Sequence, residues 1–484
     1  MTTDVTVFRA FEATVDRLQA MHAAVLLRPR EFSVQAAFRG DYDFLFDPDR
    51  FTEIVAAAVT QSRQYGVSLT IEQYAQYKKR ICFICDNPER RIQIELWPHA
   101  ELTISSGPFR SLATIGWNSA RPFFVDSGRY LALGPTIAAA VYLTHLHHKQ
   151  KSLSSPEVQG RLAYYADALS RSDNELDKDL LGAVQALRAR AADLKTTNTH
   201  ACSTLARMGV QVRTLRMAPL LERGRRRLAS VVVGRNGMPF SPVPVIGPDG
   251  SGKTTIVNSL AEQHGFSTLR FKNVFRFSLL YRGYHRLKER YAHTSHKAKN
   301  LVDENMAQII LMIAVVRWWP VIAWRTGSRY LRGRGRSAIV VDRYFWDYLV
   351  KVRRPDVPPS RISGYQLLSR LMPAPSRAVV LCCGLETLYS RKNELSPEAV
   401  EYLYGLYCDQ IARNRVKRVL ALSTDGPLDR SCRQVAWFLR PDRASMSRRS
   451  LVQRLIGVQR RGEAAQWAEA GQQAFGGHDG THSA

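Results

Sequence analysis

The segment best suited to chemistry runs from Val243 to Ile256 and reads V-P-V-I-G-P-D-G-S-G-K-T-T-I. An apolar stretch typical of a buried strand opens it, and helical apolar spacing begins at its end. The pattern between them, G-x-x-x-x-G-K-T, predicts a loop whose backbone N–H groups surround a phosphate, because glycine has no Cβ to block their approach. The N-terminus of the following helix adds partial positive charge. We therefore expect a nucleoside triphosphate to bind through Gly247, Asp249, Gly250, Ser251, Gly252, Lys253, Thr254 and Thr255.

Two residues of this loop and two further along the chain have more specific expected roles. Lys253 is placed to neutralise the β- and γ-phosphates, and the Thr254 hydroxyl to bind Mg²⁺. The run S-A-I-V-V-D-R-Y predicts a buried strand that ends at Asp342. An acid at the carboxyl end of such a strand faces the phosphate loop and can hold Mg²⁺ through water. Arg343 beside it is suited to bind a phosphate of an acceptor.

A basic segment follows the next predicted strand, R-A-V-V-L-C-C, and contains Y-S-R-K-N-E. Arg391 in this segment can close over the transferring phosphoryl group and neutralise its charge. Any one basic residue is also explained as a solvated side chain. The order along the chain, from phosphate loop to acid-ended strand to basic segment, favours the catalytic role.

Acidic residues near the N-terminus indicate a second site. The run D-Y-D-F-L-F places Asp41 and Asp43 on one face of a predicted strand, and Glu95 lies in the later strand-like run I-Q-I-E-L-W. Two acids on one strand and a third on a neighbour can hold two Mg²⁺ ions for phosphoryl or nucleotidyl transfer. A second metal site at these residues is one interpretation. The other is a solvated acidic strand end in a module that serves architecture or binding.

The elements that carry these residues predict an α/β protein of several domains. From Val243 the chain alternates strands and helices, which indicates a parallel sheet covered by helices, and 484 residues exceed one ordinary core. We expect a P-loop NTPase domain preceded by an α+β domain and a helical appendage. The predicted bounds are 1–105 for the α+β domain, 106–200 for the appendage, 201–240 for an arginine-rich linker, 241–440 for the P-loop domain and 441–484 for a basic amphipathic helix with a disordered tail.

The net charge is +27, from 69 Lys and Arg against 42 Asp and Glu. Such a charge attracts nucleotides, phosphorylated sugars, anionic lipid or nucleic acid, and an arginine-rich proteome produces the same bias. The chain lacks a basic-aromatic motif of a known nucleic-acid reader, which disfavours nucleic acid as partner.

The expected location is the cytoplasm. The N-terminus, M-T-T-D-V-T-V-F-R, does not have the order of a signal peptide, and seven scattered cysteines do not resemble a disulfide framework. Residues 306–324 are apolar over the length of a membrane span, but Arg317 and Pro320 interrupt them and favour a buried helix. Residues 447–461 suit either the inner face of an anionic membrane or docking onto the P-loop domain.

Residues 242–440 resemble thymidylate kinase-like P-loop kinases, on the motifs G-P-D-G-S-G-K-T-T, D-R-Y at 342–344 and Y-S-R-K-N-E at 389–394. The resemblance implies ATP as donor, Mg²⁺ as cofactor and γ-phosphoryl transfer to a small anionic acceptor, with Asp249 near the acceptor's sugar. It is also compatible with a homodimer. Thymidylate kinases carry an R-E-P-G-G-type segment where this chain has L-R-F-K-N-V-F-R-F-S, so the expected acceptor is not dTMP.

Residues 1–105 resemble the nucleotidyltransferase fold, on D-x-D followed by a helix and a hairpin with a third acid. That superfamily has Gly-Ser ahead of the first acid, where this chain has R-P-R-E-F, so the activity of this domain stays open. The run D-R-Y-F-W-D is similar to the D-R-Y-x-x-D of kinase-like proteins in bacterial surface-polysaccharide loci. Those proteins also carry an N-terminal nucleotidyltransferase-like module.

The function expected from these patterns is an ATP- and Mg²⁺-dependent kinase of a small phosphorylated or hydroxylated acceptor. Two alternatives come from other classes. One is a nucleotide-gated binding or assembly protein with little catalysis, and the other is a bifunctional enzyme with an active N-terminal nucleotidyltransferase.

Overall fold

The computed structural model describes most of the chain outside a few long segments. The described residues are 3–27, 32–73, 78–103, 111–126, 130–149, 151–210, 213–216, 242–271, 286, 318, 320–321, 324, 338–345, 347, 350, 375–392, 396–413 and 416–440. The chain divides into two compact units, Met1–Val435 and Ala436–Ala484. The described part of the second unit is the end of one helix.

Among the described residues before 210, the first unit has nine strands and eight α-helices. They are α1 (Thr3–Ala20), β1 (Ala24–Leu26), α2 (Val34–Ala37), β2 (Asp41–Phe46), α3 (Phe51–Gln64), β3 (Ser68–Gln73), β4 (Lys79–Ile84), β5 (Arg91–Trp97), β6 (His99–Thr103), β7 (Ser111–Gly116), α4 (Trp117–Ala120), β8 (Phe124–Asp126), β9 (Leu131–Leu133), α5 (Pro135–Lys149), α6 (Pro156–Ser170), α7 (Glu175–Arg188) and α8 (Leu194–Arg207). Helix α1 buries Val7, Phe11, Val15 and Leu18, whose spacing of three and four residues places them on one face.

The remaining elements follow β10 (Arg213–Arg216). They are β11 (Val243–Ile246), α9 (Lys253–His264), β12 (Ser267–Arg270), β13 (Ile339–Asp342), β14 (Arg377–Cys382), α10 (Leu385–Arg391), α11 (Pro397–Arg413), β15 (Arg418–Ser423) and α12 (Leu428–Leu439). Strands β11 to β15 are all parallel, in the order β12-β13-β11-β14-β15. Because β11, β13, β14 and β15 are buried on both faces, they read as nearly continuous apolar runs, whereas β12, at the edge of the sheet, does not. The predicted α/β class is confirmed, whereas the nucleotidyltransferase-like character of the N-terminal part stays a prediction.

The parallel strands continue into the N-terminal strands without a break. Strand β15 pairs antiparallel with β3, and the full order is β12-β13-β11-β14-β15-β3-β4-β5-β2-β1-β9-β8. One apolar cluster also contains residues from both parts, among them Ile54 and Ile71 with Val419 and Ala421. A separate sheet has the order β10-β7-β6. The twelve-stranded sheet therefore joins the N-terminal strands directly to those that carry the phosphate loop.

Several predicted segments lie wholly or mostly outside the described residues. They are the greater part of the linker at 201–240, most of 306–324 and the tail at 441–484. Within 306–324, Trp318 is fully buried and packs against Phe271 and Tyr344, whereas Trp324 is exposed. Across the described part of the chain, no helix combines the length and apolarity that crossing a bilayer requires.

Candidate functional site

The glycine-rich loop lies at the carboxyl end of β11 and leads into α9. Gly247, Gly250 and Gly252 have φ angles of +150°, +90° and +89°, which side chains with a Cβ rarely adopt. At Gly247 an added Cβ would also lie 3.0 Å from the Leu381 carbonyl oxygen. The glycines of the motif are thus required by conformation, and at Gly247 by space as well.

Lys253 points back into this loop from the first turn of α9. Its side chain is 5% exposed, and Nζ donates to the carbonyl oxygens of Gly247 at 2.7 Å and Pro248 at 2.6 Å. A longer contact of 3.3 Å reaches Oδ1 of Asp249. Burial lowers the pKa of Lys253, while the carboxylates of Asp347 and Asp249 act in the opposite direction. The ammonium group therefore lies at the centre of the loop.

Thr254 and Asp342 bring a hydroxyl and a carboxylate together at the end of β13. Thr254 Oγ1 donates to Asp342 Oδ2 at 3.2 Å, and Asp342 is 7% exposed. Among the described residues, the other oxygen, Oδ1, has no hydrogen-bond partner although it is buried. A hard cation such as Mg²⁺ prefers oxygen ligands of this kind. The pair fits the predicted magnesium site, since a cation or its water would satisfy the buried oxygen.

Arg343 follows Asp342 and lies on the same side of the phosphate loop as that residue. Its φ of +67° is unusual for a residue with a side chain, and its backbone N–H donates to Val245 O at 3.0 Å. The guanidinium donates to Asp249 Oδ1 at 2.8 Å and lies 4.0 Å from a carboxylate oxygen of Asp347. Burial alone would lower the pKa of Arg343, but the charges of Asp249 and Asp347 raise it. The cation is thereby held against the loop beside Asp342.

Asp347 belongs to the site but was not predicted as a site residue. Its side chain is 2% exposed, and Oδ1 accepts from Tyr407 Oη at 2.8 Å and from the Gly247 N–H at 3.4 Å. Burial raises the pKa of Tyr407 well above its usual value, and the neighbouring carboxylate of Asp347 adds to the effect. The sequence signal that could have identified Asp347 as a site residue is its position four residues after Arg343, one helical turn away.

Arg391 lies beside the loop on the opposite side from Arg343. Its guanidinium donates to the Thr424 carbonyl oxygen at 2.7 Å and to Thr424 Oγ1 at 3.3 Å. A Cβ added to Gly252 would lie 3.7 Å from a guanidinium nitrogen of Arg391. Helix α10 also packs against Gly250 through Leu388. The structure thus brings Arg391 next to the phosphate loop, and its closure over a transferring phosphoryl group stays a prediction.

The N-terminal acids have cationic and indole partners. Asp43 and Glu95 are register partners on the parallel strands β2 and β5, and the Trp97 indole donates to Asp43 Oδ1 at 3.0 Å. Glu95 accepts from Arg80 at 2.9 Å and pairs with Lys78. Burial would raise the pKa of Glu95, but its hydrogen bonds to Lys78 and Arg80 lower it.

These ion pairs belong to a row across the sheet. Cross-strand partners follow one another from Arg418 through Glu72, Arg80 and Glu95 to Asp43. Arg418 Nε lies 2.9 Å from Glu72, and Arg80 lies 3.6 Å from Glu72. Within the described ranges, no three His, Cys, Asp or Glu side chains are grouped so as to hold a metal ion. The second metal site at Asp41, Asp43 and Glu95 stays a prediction, and in this structure cations already neutralise Glu95.

Comparison with known proteins shows only limited similarity. No family model matches the chain, and no curated protein matches it. Among solved structures, the chain is similar to a deoxyadenosine kinase from M. mycoides with dCMP and dCDP bound, at 14% identity and a TM-score of 0.27, over 41% of this chain and 98% of that one. It is also similar to a thymidylate kinase from Candida albicans, at 16% identity and a TM-score of 0.26, over 41% of this chain and 90% of that one.

Proposed function

We propose that this protein is an ATP- and Mg²⁺-dependent phosphotransferase that acts on a small phosphorylated or hydroxylated acceptor other than dTMP. The observation that carries the proposal is the contact of Thr254 with the buried Asp342 beside the loop, at 3.2 Å. Beside the buried Lys253 ammonium, one oxygen of the buried Asp342 carboxylate has no hydrogen-bond partner among the described residues, and leaving a buried carboxylate oxygen unsatisfied is costly. A loop that merely reverses the chain needs neither group, so the arrangement supports a bound phosphate with a cation.

Lys253 has the clearest role in phosphoryl transfer. An oxygen of the acceptor forms a bond to the γ-phosphorus while the bond to the β–γ bridging oxygen breaks, and ADP leaves. Negative charge grows on that bridging oxygen, and a buried ammonium at the centre of the loop stabilises it. Bound Mg²⁺, held by Thr254 and through water by Asp342, would supply further neutralisation of the phosphate oxygens.

Arg343 and Asp249 are suited to orient the acceptor. Their ion pair of 2.8 Å lies at the loop, with the Arg343 side chain 36% exposed and that of Asp249 31% exposed. A partly exposed guanidinium can bind an acceptor phosphate through two hydrogen bonds, and the carboxylate beside it can accept from a hydroxyl. Arg391 would complete the site from the Thr424 side.

The test is a screen of small acceptors with the full-length protein and labelled Mg-ATP. Because β15 pairs with β3, the full chain is preferable to an isolated fragment of residues 241–440. Label transfer to a sugar phosphate, nucleoside or nucleoside monophosphate, with none to dTMP, is the expected result. Tight ATP binding without transfer to any acceptor would instead support the nucleotide-gated binding protein. Release of pyrophosphate that is lost in Asp43→Ala would support the bifunctional enzyme.

A further inference from the structure

An arginine from the N-terminal part reaches the strand ends beside the phosphate loop. Arg63, on α3, is 6% exposed, and its Nε donates to the Cys383 carbonyl oxygen at 3.2 Å. Its two terminal nitrogens donate to the two carboxylate oxygens of Glu401 at 2.9 and 2.8 Å, and the guanidinium lies 3.7 Å from the centre of the Tyr404 ring. A buried, bidentate and stacked arginine fixes its partners strongly, since every contact depends on one planar group.

Ser68 makes a second connection, at the next strand end. The Ser423 backbone N–H donates to Ser68 Oγ at 3.0 Å, and Ser68 Oγ donates to Gln434 Oε1 at 2.7 Å. All of these groups are buried. Arg63 and Ser68 flank one short segment, the turn that joins α3 to β3. Two independent contacts therefore link this segment to the carboxyl ends of β14 and β15.

Those strand ends, at residues 383–384 and 423–425, form a wall beside the phosphate loop. The Gly384 N–H donates to Asp425 Oδ1 at 2.9 Å, which joins the end of β14 to the end of β15. Thr424, between Ser423 and Asp425, binds Arg391 beside the phosphate loop. On the other side of the loop lie Asp342 and Arg343, and Arg343 pairs with Asp249 of the loop. At the wall of residues 383–384 and 423–425, the Arg391 guanidinium is placed where its plane could stack on the base of a nucleotide whose phosphates occupy the loop.

We propose that Arg63 and Ser68 are positioning residues through which the N-terminal part fixes the wall that binds the nucleoside portion of ATP. This inference rests on the proposed function, because it assumes that a nucleoside triphosphate occupies the loop. Removing Arg63 frees the Cys383–Gly384 connection and leaves the Cys383 carbonyl without its side-chain donor. The phosphate loop itself keeps its own contacts from Lys253, Thr254 and Asp342.

The experiment compares binding of Mg-ATP with binding of inorganic tripolyphosphate, which has phosphates but no nucleoside. Both dissociation constants are measured by calorimetry on the full-length wild type, Arg63→Ala, Arg63→Lys and Ser68→Ala, below each variant's thermal midpoint. Arg171→Ala is the matched control, since Arg171 pairs with Asp167 and is 75% exposed. We expect Arg63→Ala to weaken ATP about tenfold while tripolyphosphate changes less than about twofold. Arg63→Lys and Ser68→Ala should show smaller losses with the same selectivity.

Three results would overturn the inference. Unchanged ATP affinity in Arg63→Ala and Ser68→Ala would show that the wall does not need them. Equal weakening of ATP and tripolyphosphate would show a general structural role. A wild type that binds neither ligand would refute the proposed function itself, which is a different outcome from a wild type that binds both. If Arg63→Ala does not fold, Arg63→Lys and Ser68→Ala decide the matter by the same comparison.

Discussion

Replacing Asp347 by alanine should loosen the phosphate loop and helix α11 together. Its buried carboxylate accepts from Tyr407 at 2.8 Å and from the Gly247 N–H at 3.4 Å. A hydrogen bond to a charged group contributes about 1.5–3 kcal/mol, and a stranded buried donor costs about 1–3 kcal/mol. Because the Gly247 contact is long, most of the effect comes from Tyr407. We expect Asp347→Ala to lower the free energy of unfolding by about 3–4 kcal/mol. Asp347→Asn, which can still accept both bonds, should cost about 1 kcal/mol.

The assay is a double-variant cycle read from urea unfolding by tryptophan fluorescence. Tyr407→Phe alone should cost about 1–2 kcal/mol, because it removes a donor without stranding one. The double variant Asp347→Ala/Tyr407→Phe should cost less than the sum of the singles by about 1–2 kcal/mol, because no hydroxyl is left unpaired. Strict additivity would refute the reasoning, since it would mean that the two side chains do not depend on each other.

Three further predictions concern the loop and the N-terminal acids. Gly247→Ala should abolish ATP binding in calorimetry, because its Cβ would lie 3.0 Å from a carbonyl oxygen. The control Gly182→Ala, in open space on α7, should leave ATP binding intact. Equal ATP binding by both variants would contradict this prediction. Glu95→Ala should lower the free energy of unfolding in urea by about 2–4 kcal/mol, because Arg80 loses a buried partner. A loss that disappears when metal is removed from both proteins would instead mark Glu95 as a metal ligand. Asp41 is exposed at the start of β2, but partial desolvation and the charges of Glu95 and Asp43 raise its pKa, so the folded state favours the neutral acid and loses that stability as pH rises through the raised pKa. Asp41→Asn should therefore raise the thermal midpoint at pH 7 and not below about pH 4; a constant difference between those pH values would refute it.

The phosphate loop and the acid-ended strand could be predicted because each is encoded locally. Gly247, Gly250 and Gly252 have the positive φ angles that the motif requires. Asp342 ends a run of buried apolar residues, and its contact with Thr254 follows from the parallel pairing of β11 and β13. In both cases a short stretch of sequence determines the conformation, and the end of a parallel strand determines the position.

The contacts between distant parts of the chain could not be predicted in this way. Arg63 and Glu401 are 338 positions apart, and each resembles an ordinary charged residue on a helix. The neutralisation of Glu95 by Arg80 depends on the register of β4 against β5, which alternation within single strands does not determine. For the same reason, the sequence pattern left a metal site and a solvated acidic strand end as the two interpretations of the N-terminal acids, and it did not predict the ion-paired row.

Transfer of labelled γ-phosphate from Mg-ATP, measured side by side for wild type and Lys253→Ala over one panel of acceptors, tests the central claim most directly. Lys253 lies at the centre of the loop, so its loss should lower the rate of transfer by at least about 10³-fold while far-ultraviolet circular dichroism stays unchanged. Full transfer by Lys253→Ala, with any acceptor, would contradict the assignment of this loop as a phosphoryl-transfer site.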